Sequence, residues 1–91
     1  MHGARGMSRK QAFQKALEHH LAGRLSHAEA IYQQILKKEP DNADALHLAG
    51  VVAHQGGKNQ IAVELIRRAI SCKSAFPEAY CNLGNVLKAQ G

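Results

Sequence analysis

Six histidines and two cysteines are the residues of this 91-residue chain whose side chains could bind metal or act as nucleophiles. Their spacing narrows the chemistry. Zinc takes three or four ligands supported by further hydrogen bonds. His20 and His54 hold equivalent places 34 residues apart, and His47 lies two helical turns before His54. That gives three imidazoles and no HExxH-type motif, so no metal and no cofactor are expected. His19 falls on an inward helical position and is read as structural. Cys72 and Cys81 match no zinc or redox spacing. They read as small buried hydrophobes and imply a reducing compartment, hence a cytoplasmic location. Cys81 and His47 could form a thiol–imidazole pair across two helices. An open surface would supply neither an oxyanion hole nor water exclusion. No nucleophile elbow or phosphate loop occurs, and the chain is read as non-enzymatic.

Charge excludes little more. The formal charge is +5, but it is spread along the chain. Residues 9–42 carry six basic and four acidic residues, and residues 43–76 carry four and two. With no block of like charge, a nucleic-acid partner is not expected. No apolar run approaches the ~18 residues of a membrane span, so no membrane partner is expected either.

The elements that position these side chains come from an internal repeat. Gly23, Gly57 and Gly91 are spaced by 34 residues, as are Ala16, Gly50 and Gly84. Ala28 and Ala62, and Ala45 and Ala79, keep the same period. Each period reads as two helices. Ser8 with Gln11 is a capping box that opens the first helix, which Gly23 ends. Ser26 with Glu29 reads as a second capping box, opening a helix with Ala28, Ile31, Ile35 and Leu36 on one face. Pro40 breaks the chain. A third helix is expected over about 43–55 and a fourth over about 59–72, striped by Ile61, Leu65, Ile66, Ala69 and Ile70. Pro77 suits the first turn of a fifth helix running to about Gln90. Residues 1–8 lack periodicity and read as a disordered leader or as residues added outside the natural fold. Small residues in helix interiors imply close helix–helix contact, since an interior glycine costs ~1 kcal/mol against alanine.

The 34-residue unit, with "YCNLG" at Tyr80–Gly84, Ala62, Ile66 and Ala69, and Ala28, Tyr32 and Pro40, resembles the tetratricopeptide repeat. The resemblance implies an all-α fold: a right-handed superhelix of antiparallel helix hairpins, five helices in all. Repeat 1 would span 9–42 and repeat 2 43–76, with 77–91 a half repeat or capping helix. Lys15 stands in place of the leucine and Ser74 in place of the proline, which points to a slightly rotated first helix. The stretch from Ala45 to Ile70 is also similar to repeats of bacterial proteins related to O-linked N-acetylglucosamine transferase.

In this family the first helix of each pair lines a concave groove. By that geometry the groove positions are Phe13, Leu17, His20, Leu21, His47, Leu48, Val51, His54, Asn82, Asn85 and Lys88. The carboxylate clamp of chaperone-binding members is absent, because Phe13, Leu17, Leu48, Glu78 and Asn82 stand at its positions. An asparagine ladder, as in glycosyltransferase arms, has one rung, Asn82, beside Gln14 and Leu48. What is left is an apolar groove. It is either a seat for a peptide or amphipathic helix or the core of a rotated first helix.

Three functions follow: a non-enzymatic protein-interaction module, the substrate-recognition arm of a larger enzyme such as a glycosyltransferase, or a self-assembling scaffold. For the last, the fifth helix is expected to turn Tyr80, Leu83 and Leu87 toward repeat two. Ala79, Gly84 and Val86 would then be free for a weak homodimer.

Overall fold

The computed structural model describes residues 8–91. It contains five helices: α1 (Arg9–Leu21), α2 (Leu25–Lys38), α3 (Ala43–Gln55), α4 (Asn59–Cys72) and α5 (Pro77–Gln90). There is no strand among the described residues. Residues 1–7 of the expected leader lie outside the described residues. Ser8 is instead the N-cap of α1. Its hydroxyl accepts from Gln11 N at 3.2 Å, and its own N–H donates to Gln11 Oε1 at 3.0 Å, the reciprocal pair of a capping box.

The first helix of each hairpin ends in the same way. Gly23 and Gly57 take φ of +82° and +81°, a conformation that side chains disfavour. Arg24 N then donates to His19 O, and Lys58 N to Ala53 O, both at 2.8 Å, closing two equivalent Schellman motifs. This tight exit corrects one expectation. The chain leaves Gly23 directly into α2, which starts at Leu25 with no side-chain cap. Ser26 is already inside the helix, and the Ser26–Glu29 capping box does not form.

Consecutive helices pack on each other along the chain, with α1 on α2, α2 on α3, α3 on α4 and α4 on α5. Two buried clusters result. Ala16, Ala28, Tyr32, Ile35, Ala45, Ala49 and Val52 form the first. Leu46, Ala53, Ala62, Ile66, Ala69, Phe76, Ala79 and Val86 form the second. Helix α3 supplies both, and Leu36 and Leu65 pack against both. On α4 the buried stripe is Ala62, Ile66 and Ala69, while Ile61, expected on that stripe, is 48% exposed. Lys15 points outward, 3.8 Å from Glu18, yet Ala16 remains fully buried on the side of α2.

The small residues set the helix spacing. A Cβ at Gly50 would lie 2.6 Å from Ile66 Cγ1 and 3.2 Å from the Ala62 carbonyl oxygen. At Gly84, one period later, a Cβ would meet nothing within 4 Å.

The fifth helix is turned the other way from the sequence expectation. Ala79 and Val86 are buried in the second cluster, 0% and 1% exposed, and so are not free for self-association. Tyr80 and Leu87 are 52% and 40% exposed. Leu83 packs against the cluster as expected, and Gly84 is exposed as expected. Small Ala79 lets α5 sit close to α4, while the larger residues face outward. Cys72 and Cys81, expected to be buried, are both exposed free thiols.

The glycine contact makes a direct prediction. Gly50→Leu or Ala62→Leu will lower stability by ~1–3 kcal/mol through overpacking. Gly84→Ala will be neutral or stabilising by up to ~1 kcal/mol, since it gains helix propensity and meets no neighbour. Urea denaturation of the three variants reads this. A loss at Gly84 equal to that at Gly50 would refute the assigned packing.

Candidate functional site

The groove side is built from α1, α3 and α5. The first two residues that give it shape are Phe13 and Leu48, half-buried neighbours of the first core cluster. Phe13 leans on the fully buried Tyr32, with centroids 6.1 Å apart and planes at 56°. They line an open cleft of about 380 Å³ with Asp44, His47, Phe76 and Glu78.

His47 is the most heavily engaged of these residues. It is 93% buried (7% exposed). Its Nε2 lies 2.7 Å from Asn82 Nδ2 on α5. An amide N–H donates there, so Nε2 is the acceptor and the ring is neutral with its proton on Nδ1. Phe76 meets the same ring edge-on, with centroids 4.8 Å apart at 67°. Lys73 Nζ sits 4.5 Å above the Phe76 centroid and 3.7 Å from Asp44 Oδ1. Asp44, Lys73, Phe76, His47 and Asn82 thus form one connected chain of contacts. It ties α3, the α4–α5 link and α5 together along the cleft floor.

Burial pushes the His47 imidazole below its ordinary value, against the pull of the Glu78 and Asp44 carboxylates. The Cys81–His47 pair considered from sequence is not favoured, because the imidazole nitrogen facing α5 is taken by Asn82. Among the described residues no group of three His, Cys, Asp or Glu side chains converges on a metal position.

The remaining predicted groove residues do not join the cleft lining. Leu17 and Leu21 are 44% and 78% exposed along α1. Val51 is half-buried, while Asn85 and Lys88 are exposed on α5. His54 is occupied locally, its Nδ1 2.8 Å from Asn59 Oδ1. His20 is half-buried, and its Nδ1 has no hydrogen-bond partner. Asn82, the single rung of the asparagine ladder, spends its amide nitrogen on His47. His19, read as structural, accepts from Arg24 Nε at 2.8 Å and stacks on His27 at 4.9 Å.

Sequence reasoning missed Phe76. Its period-equivalent is Asn42, whose side chain caps α3 by accepting from Ala45 N at 3.0 Å. Phe76 stands at the same N-cap place of α5, makes no side-chain cap bond, and buries its ring instead. An aromatic replacing a capping residue just before Pro77 was the available signal.

A right-handed stack of antiparallel helix pairs with a concave face defines the helical-hairpin solenoids. The pairs in this chain have the fold of tetratricopeptide repeats, and the curated relatives it matches are tetratricopeptide repeat proteins. It is 33% identical over 69 residues to human tetratricopeptide repeat protein 7A, a match covering 76% of this chain and 8% of that protein. To human tetratricopeptide repeat protein 7B it is 30% identical over 71 residues, covering 78% and 8%. Among solved structures, a mutant O-GlcNAc transferase from Thermobaculum terrenum superposes with a TM-score of 0.87 at 32% identity. That match covers 94% of this chain and 18% of the transferase. The chain therefore spans less than a tenth of the length of the two curated relatives. No protein-family model matches it. No helix among the described residues is long and apolar enough to cross a membrane.

The buried imidazole fixes the direction of a pH effect. The folded-state pKa of His47 lies below the unfolded value of about 6.5. Its neutral form therefore contributes stability that is complete above about pH 6.5 and is lost as pH falls through the folded value. The melting temperature of the native chain will fall in that window, and His47→Gln will lessen the fall. An NMR titration will place the His47 midpoint below about 6.5, and a midpoint above it would contradict the burial.

Proposed function

We propose that this chain is a non-enzymatic protein-interaction module whose concave face takes a peptide or helix. The observation that carries the reading is the cleft between α1, α3 and α5. Its floor is apolar, from Phe13, Leu48 and Phe76, and its mouth holds the carboxylates of Asp44 and Glu78. Asp44 is held near Lys73, so Glu78 offers the freer negative charge. A segment that places an apolar side chain next to Lys or Arg complements this arrangement. Leu17 and Leu21 extend the apolar surface along α1. The proposed repeats are 9–42 and 43–76, with 77–91 a half repeat, acting on a protein or peptide partner in the cytoplasm.

A second reading has its own support. The transferase likeness, at 32% identity and a TM-score of 0.87, favours a repeat arm that presents substrates to a larger enzyme. The two readings share the groove and differ in what lies beyond it. The single engaged asparagine weighs against a ladder-type arm.

Random-peptide display against the native chain will test the groove. Enriched peptides will carry an apolar residue beside a basic one. Glu78→Lys will cut their affinity about tenfold or more, the ratio set by ~1.4 kcal/mol. Leu17→Lys, at an exposed position, will weaken binding without changing helicity. Peptides that bind both variants as well as the native chain would remove this site.

A further inference from the structure

The C-terminal end of α4 already places one cation at the edge of the cleft. Lys73 caps that helix, its N–H donating to Ala69 O at 3.0 Å, so the backbone beneath its side chain is held. The ammonium rests 4.5 Å from the Phe76 centroid and 3.7 Å from Asp44 Oδ1. Phe76 and Asp44 both line the cleft, and Lys73 does not. An aromatic face beside a carboxylate is a seat for an ammonium or guanidinium group, because the ring quadrupole and the negative charge attract it together. This chain fills that seat with its own side chain. One period earlier the capping residue is Glu39, which pairs with Arg9 at 2.7 Å and accepts from Asn42 at 3.0 Å. A tie from the cap of the second helix to the first turn of its hairpin partner thus recurs. The first tie uses Arg9 and Glu39, which lie outside the cleft lining, and the second uses two groups of the cleft itself.

We propose that Lys73 is a built-in competitor for the cationic side chain of a bound segment. The proposal rests on the peptide-binding reading above and adds the group that sets its affinity. The lining holds two carboxylates, Asp44 and Glu78, and no lysine or arginine. With Lys73 in place Asp44 is neutralised, and a second cation approaching it meets a like charge 3.7 Å away. The two side chains are 50% and 63% exposed, so water screens the pair and the ammonium leaves at small cost. A competitor of this kind weakens binding without blocking it. It also biases the choice of ligand. A segment that brings its own Lys or Arg replaces Lys73 and gains Asp44 and the Phe76 face, whereas a neutral apolar segment leaves Lys73 where it is.

NMR titration of the full chain with two peptides tests this. One is acetyl-Leu-Lys-Leu-amide, and the other carries norleucine in place of lysine, a similar stem without the charge. Resonances of Phe13, Leu48 and Phe76 report the cleft. The native chain will bind the lysine peptide. Lys73→Met and Lys73→Gln will each tighten it about threefold or more, the scale of an exposed ion pair with a cation–π contact. Neither will alter the norleucine peptide. Lys88→Met removes the same charge from α5 away from the cleft lining, and it will leave both peptides unchanged. Lysine-peptide binding that Lys73→Met and Lys73→Gln leave unchanged or weaken overturns the competitor and keeps the peptide-binding reading. An equal gain in Lys88→Met assigns the effect to net charge, and an equal gain for the norleucine peptide assigns it to an uncovered ring. Either result also overturns the competitor. Cleft resonances that respond to neither peptide in any variant remove the peptide-binding reading and the competitor with it.

Discussion

The approach of α4 to α3 at Gly50 is the contact on which the rest of the structure depends. With Ile66 Cγ1 and the Ala62 carbonyl sitting where a Cβ would be, the two helices touch backbone to side chain. That distance lets Ile66 and Ala62 bury completely, and a fully buried Ile side chain stabilises by ~1.5–3 kcal/mol. It more than offsets the ~1 kcal/mol cost of glycine in a helix interior. The same logic holds between α1 and α2, where Ala16 and Ala28 are both fully buried.

Because each hairpin is narrow, one helix can serve two neighbours. Seven of the thirteen residues of α3 are buried, against one of thirteen in α1. Ala45, Ala49 and Val52 face the first hairpin, and Leu46 and Ala53 face α4 and α5. The core is a row of interfaces rather than one centre, as stacked repeats require. Ion pairs such as Arg9–Glu39 and Lys58–Glu29 link neighbouring elements at exposed or half-exposed positions and contribute little. The groove-side junction of α5 is different. There a buried ring stack and the His47–Asn82 bond join the last helix to α3.

Helix boundaries and repeat period were legible because they rest on glycine, proline and alanine, whose effects are local. The facing of α5 was not. In a helix with Tyr80, Leu83 and Leu87 on one side and Ala79 and Val86 on the other, side-chain size alone assigns the larger residues to the core. The structure seats the small side and leaves Tyr80 and Leu87 outside, because close packing on α4 needs a short side chain at Ala79. Residue size marks a helix-receiving face without saying which neighbour fills it. Phe76 was illegible for a related reason, since its role arises from a departure from the repeat. The histidines were visible as groove positions, but only the fold separates His47, locked to Asn82, from His54, bonded within its own hairpin.

Comparing the repeats with one another separates scaffold from surface. The contact triple Ala16, Gly50 and Gly84 stays small throughout. The groove triples do not hold still: Phe13, His47 and Cys81 share one position, and Gln14, Leu48 and Asn82 another. Stacking geometry forbids a larger side chain at Gly50 and keeps Ala16 fully buried, whereas the groove positions accept different residue types from one repeat to the next. Those positions line the cleft with an aromatic from one repeat and an imidazole and a leucine from the next, and the α5 amide holds the imidazole. Its shape is therefore not periodic, although the scaffold beneath it is. A uniform row of residues would read any extended chain alike. A lining of Phe13, Leu48 and Phe76 with Asp44 and Glu78 is instead asymmetric, apolar on one side and acidic on the other. The His47–Asn82 bond makes that lining part of the seat of α5, so the cleft and the docking of α5 share one set of contacts.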